Sequence, residues 1–93
     1  SMSIAHSIQT SRPDDVVTHL AKEYNVLNYE TELIKKYLHR DADYTVWGIA
    51  NAVTRTAQDA TSYSRSIALE TIGGKVASRN QNWIDSAPVI EIK

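Results

Sequence analysis

Three histidines, His6, His19 and His39, are the first residues to test for metal or proton chemistry. None stands four residues from another, the interval that sets two imidazoles on one helix face. His19 and Glu23 do have that interval, but two ligands fall short of the set a zinc ion needs. The chain has no cysteine, which excludes disulfides and thiolate metal sites. Serines are frequent, yet none stands in a Gly-x-Ser-x-Gly elbow. Gly48, Gly73 and Gly74 are the only glycines, so no glycine-rich loop is available to cradle a phosphate. Asp14 with Asp15, and Asp41 with Asp43, are carboxylate pairs, but both stand where a helix should start, and capping accounts for them. The expectation is therefore no enzyme activity, no metal and no cofactor in this stretch of chain.

A second set of residues points to binding instead. Trp47, Asn51, Thr54 and Gln58 line up as one stripe of a helix, with Arg55 and Asp59 at its margin. Asn, Arg and Gln are the side chains that read bases or hold phosphates, and Trp stacks on a base. The same side chains also suit a polar interface between helices. Arg65 is a further candidate contact, and with Lys35, Lys36, Arg40 and Lys75 it would supply a basic surface. The candidate site is thus Trp47, Asn51, Thr54, Arg55, Gln58 and Arg65, contacting nucleic acid or a partner protein.

These residues need helices to position them. Pro13, Asp14 and Asp15 suit a first turn, Ser11 can cap it, and Val17, Leu20, Ala21 and Tyr24 follow at helical spacing. A first helix is expected over Pro13 to Tyr24. Asn28 can cap a second, Tyr29 to His39, with Leu33, Ile34, Tyr37 and Leu38 on its apolar face. Lys35, Lys36, His39 and Arg40 gather near its end, where cations complement the helix dipole. A third helix, capped by Asp41 or Asp43, is expected over Tyr44 to Ala60. Val46, Ile49, Ala50, Val53, Ala57 and Ala60 form its apolar stripe. Gly48 costs about 1 kcal/mol there relative to Ala, which suggests close approach by a neighbouring element. Ser62 starts a fourth helix, Tyr63 to Ile72, with Ala68, Leu69 and Ile72 inward. Gly73-Gly74 should end it. Lys75 to Ser78 and Val89 to Lys93 then read as a short C-terminal β-hairpin. The expected fold is mainly α, a small bundle of about four helices with that hairpin.

The 93 residues make one domain, read as a flexible lead-in over 1–10 and a single helical domain over 11–93. Ser1-Met2 reads as the scar of a cleaved tag, and the domain as a fragment of a longer protein. Five Tyr and two Trp stand beside no Phe, a choice that suits a core edged by aromatic rings with polar tips. The net charge of −1 differs from the basic balance of a dedicated nucleic-acid binder, so any such contact must be local. No apolar run reaches the length of a membrane helix and no signal peptide is visible, so a cytoplasmic location is expected.

The stretch Tyr44-Thr45-Val46-Trp47-Gly48-Ile49-Ala50-Asn51-Ala52-Val53-Thr54-Arg55, continued by Arg65, Glu70, Gly73 and Gly74, resembles a segment of phage and plasmid-type proteins of the domain of unknown function 932 family. The similarity covers about a third of the chain, from Tyr44 to Val76. It implies a segment near the C-terminus of a longer phage- or mobile-element-derived protein with a role in DNA metabolism, and it carries over no catalytic residue. Expected partners are DNA, single-stranded before duplex, or else a second copy or the remainder of a longer protein. The alternative function is an interaction or oligomerisation module that binds no nucleic acid.

Overall fold

A computed structural model describes residues 12–80. Four helices run in order: α1 Pro13–Tyr24, α2 Asn28–Asp41, α3 Val46–Ala57 and α4 Tyr63–Asn80. They form a small helical bundle, and no strand occurs among the described residues. The lead-in, Ser11 and the Val89 to Lys93 segment lie outside those residues. That last segment is one arm of the expected hairpin; the other arm, Lys75 to Ser78, is helical and belongs to α4.

The helix boundaries follow local chemistry. Asp14 and Asp15 stand in the first turn of α1 beside Pro13, and Arg12 precedes them without a side-chain cap. At α2 the cap position is Leu27, and Asn28, the expected cap, is the first helical residue. Glu30 supplies the missing acceptor: its Oε1 takes a hydrogen bond from the Leu27 N–H at 2.9 Å. At α3 the cap is Thr45, whose Oγ1 accepts from the Gly48 N–H at 3.1 Å. Asp43, expected as the cap, braces Thr45 instead, accepting from its N–H at 3.2 Å and its hydroxyl at 2.7 Å. Ser62 caps α4 as expected, its Oγ accepting from the Arg65 N–H at 3.1 Å. The first two helices stop on left-handed residues that are not glycine, Asn25 at φ 57° and Ala42 at φ 54°.

The principal departure is at Gly73-Gly74, which α4 runs straight through. Gly73 is buried where α4 crosses α3. A Cβ placed on it would come within 2.6 Å of Thr54 Oγ1 and 3.3 Å of the Ala50 carbonyl oxygen. The glycine is there to let two helices approach, so helix-ending was the wrong reading of it. Gly48 does answer a close approach, from the loop just before its own helix: a Cβ would lie 1.8 Å from the Asp43 carbonyl oxygen.

The core joins one face of each helix. Val16, Val17, Leu20, Ile34, Leu38, Val46, Ile49, Val53 and Leu69 are all essentially inaccessible, with Ile72 and Val76 close behind. Burial of each large aliphatic contributes about 1.5–3 kcal/mol against chain entropy. α3 packs most extensively against α4, next against α2, while α1 packs chiefly on α2. Tyr24, Tyr37 and Tyr44 lean on the core edge, as the Tyr-rich composition suggested.

Candidate interaction surface

The apolar stripe of α3 faces inward, which leaves the second stripe outside. Trp47, at 43% exposure, and Asn51, Thr54 and Gln58 all lie on the surface. The spacing that places them together is four, three and four residues along a regular helix. Thr54 spends its hydroxyl on the Ala50 carbonyl at 3.0 Å. Asn51 and Gln58 make no side-chain hydrogen bond among the described residues, so their amide donors and acceptors face water. No charged residue stands in the stripe.

Arg55 and Arg65 sit elsewhere. Arg55 is half-buried on the α2 side of α3, its guanidinium 5.4 Å from the centre of the Tyr37 ring. Arg40 lies over the same ring at 4.8 Å. Tyr37 donates its hydroxyl to Asp59 Oδ2, and that carboxylate raises the phenol above its ordinary pKa. Arg65 turns away from the stripe toward α2. Its Nε donates to Glu30 Oε2 at 2.8 Å and its Nη2 to Glu30 Oε1 at 2.6 Å. Glu30 is fully buried. The paired guanidinium holds the Glu30 carboxyl below its ordinary pKa, with burial pulling the other way and the Leu27 N–H assisting. Arg65 therefore locks α4 to α2.

The proposed basic surface is also divided. Lys35 pairs with Glu32 at 3.5 Å and Arg40 with Asp41 at 3.4 Å. Together with Glu30 opposite Arg65 and Asp59 beside the Tyr37 cluster, these anions neutralise the cations near which they lie. Lys36 and Lys75 are exposed.

Two polar constellations were not foreseen. His39 joins three segments: its Nε2 lies 2.6 Å from Asp14 Oδ1 and its Nδ1 3.0 Å from the Tyr44 hydroxyl. A carboxylate accepts, so Nε2 carries the proton, and in the neutral ring Nδ1 accepts from Tyr44. The Tyr29 hydroxyl accepts from the Thr61 N–H at 3.2 Å and ties the α3–α4 loop to α2. For Glu30 a signal existed: it precedes Ile34 and Leu38 at four-residue intervals and so shares their buried face. The histidine link carried no such signal, because its partners are set by how α1 packs. Among the described residues no group of three His, Cys, Asp or Glu side chains could hold a metal ion. No helix among them is long and apolar enough to cross a membrane.

No protein-family model matches the chain, and no curated protein or solved structure matches it.

Proposed function

We propose that this chain is a non-catalytic binding module that docks a protein partner through the outer face of α3. The observation that carries the reading is the exposed, uncharged stripe of Trp47, Asn51, Thr54 and Gln58. A half-exposed Trp flanked by amide side chains is the composition of a protein contact, where aromatic anchors supply energy and amides fix register. A nucleic-acid site needs cations to neutralise phosphates. Here the guanidiniums of Arg55 and Arg65 are engaged by Tyr37 and Glu30. The resemblance in the Tyr44 to Val76 segment supports a setting within a longer phage- or mobile-element-derived protein. There the module would assemble DNA-metabolism components without holding DNA itself.

Fluorescence anisotropy with labelled single-stranded and duplex DNA, at low and physiological salt, tests this. The expected titrations are flat. Trp47→Ala should remain folded by circular dichroism, losing about 1–2 kcal/mol where a core aromatic would lose about 3–5. Saturable binding that weakens with salt and disappears in Trp47→Ala would assign the face to nucleic acid and sink the proposal. Asn51→Ala, which removes no buried atoms, serves as the second variant.

A further inference from the structure

We infer that Tyr44 is a modification site: its phenol oxygen accepts an acyl group, with His39 as the general base and Asp14 as a positioning residue. The inference does not depend on the docking reading. Three side chains from three segments meet in series. Tyr44, in the loop before α3, has its hydroxyl 3.0 Å from Nδ1 of His39, which stands near the end of α2. His39 Nε2 lies 2.6 Å from Oδ1 of Asp14, in the first turn of α1. The His39 and Tyr44 rings are tilted by 57° with their centres 5.5 Å apart, which keeps the imidazole beside the phenol.

The direction of the hydrogen bonds gives this junction its chemistry. An ionised carboxylate only accepts, so Asp14 holds the imidazole proton on Nε2 and leaves the Nδ1 lone pair for the Tyr44 proton. That is the order in which an orienting acid, a base and a nucleophile act in acyl transfer, where the constellation is recognised by geometry and role. The base removes the phenol proton as the oxygen attacks, so no phenolate has to form beforehand. A small acyl donor can reach the junction, because the His39 and Asp14 side chains keep 46% and 53% of their surface. Tyr37 lacks this arrangement. Its hydroxyl donates to the Asp59 carboxylate, which holds the phenol above its ordinary pKa.

The acyl donor is an activated carboxylic ester. A bond forms between Tyr44 Oη and the acyl carbon, and the bond from that carbon to the leaving oxygen breaks. The phenol proton passes to His39 Nδ1, and from there to the departing oxygen or to water. Nothing is oxidised or reduced. The product is one O-acyl tyrosine per chain, a mark on the protein and not a turnover.

Treating the full 93-residue chain with 4-nitrophenyl acetate in mildly alkaline buffer tests this, the acetyl groups being located and timed by peptide mass spectrometry. Tyr63, 82% exposed, is the reference within the same sample. Tyr44 should react about tenfold faster than Tyr63, a modest share of the ~100-fold or more that a positioned base supplies. His39→Gln should bring Tyr44 down to the Tyr63 rate or below while the Tyr63 rate stays the same. Asp14→Asn still accepts from Nε2 but carries no charge, and it should slow Tyr44 by less than His39→Gln does. A purely structural link predicts the reverse, since releasing the hydroxyl from His39 uncovers it. An unchanged or faster Tyr44 in a His39→Gln chain that is folded by circular dichroism would therefore overturn the inference. So would Tyr63 reacting first in the original chain, a comparison that needs no variant, or the acetyl group being found on His39.

Discussion

Glu30 and Arg65 form a pair that is costly to disturb. The carboxylate is fully buried, while the guanidinium keeps 27% of its side-chain surface. Removing the cation strands a charge inside the protein, and removing the anion leaves one that can still reach water. Arg65→Met should therefore cost about 3–5 kcal/mol, a large share of the 5–15 available to a small domain. The double variant Glu30→Gln/Arg65→Met should recover part of that loss in a urea titration. The pair also sets an acid limit. The folded-state carboxyl lies below its ordinary value of 4.5. A depressed carboxyl stabilises fully above the unfolded value, and the contribution is lost as pH falls through the folded one. Melting temperature should thus fall as the solution is acidified below about pH 5, more steeply in the original chain than in Glu30→Gln. Parallel profiles would mean the carboxyl titrates alike in the folded and unfolded chain.

At the scale of the helix, three helical glycines in different surroundings have different consequences. Gly48→Ala would drive a methyl to 1.8 Å from the Asp43 carbonyl oxygen, and backbone cannot swing aside. A loss of about 3 kcal/mol or more is expected. Gly73→Ala meets the Thr54 hydroxyl at 2.6 Å, a side chain that can rotate, so a loss of about 1–2 kcal/mol follows after the gain in helix propensity. Gly74→Ala should gain about 1 kcal/mol. Urea midpoints should rank Gly74→Ala above the original, then Gly73→Ala, then Gly48→Ala. Any destabilisation in Gly74→Ala would mean that its surroundings are occupied. The same glycines mark how far sequence reaches. Pro13, Ser62 and the α3 apolar stripe announced their helices because capping and periodicity act within a few residues. Gly73-Gly74 misled because the backbone it accommodates, at Ala50, belongs to another helix. Trp47 was legible as part of a stripe, and its outward direction followed only once the more apolar stripe had taken the core. Arg65 could not be assigned without Glu30, which lies 35 residues away.

Across the whole molecule, stability should be graded. α3 packs on both α4 and α2 and supplies Val46, Ile49 and Val53 to the core, whereas α1 leans chiefly on α2. Beyond the burial of Val16, Val17, Leu20 and Ala21, the polar contacts of α1 include the Asp14–His39 pair, about half exposed on both sides. A contact this exposed contributes about 1 kcal/mol. α1 is thus the element whose loss uncovers least, and local opening should begin there. In native-state hydrogen exchange, amides of Ile49 to Val53 and Leu69 to Ile72 should report global unfolding, and those of Val17 to Ala21 should open about 1–2 kcal/mol sooner. Asp14→Asn weakens the charge on the His39 link while keeping its shape. It should speed exchange in α1 and leave the α3 amides unchanged. Equal slowing or equal speeding of both groups would show one cooperative unit, with α1 as firmly held as the α3–α4 pair. The graded outcome bears on docking as well, because it leaves the α3–α4 face on the most rigid part of the bundle. A partner binding there meets a surface already in place and loses little entropy in ordering it.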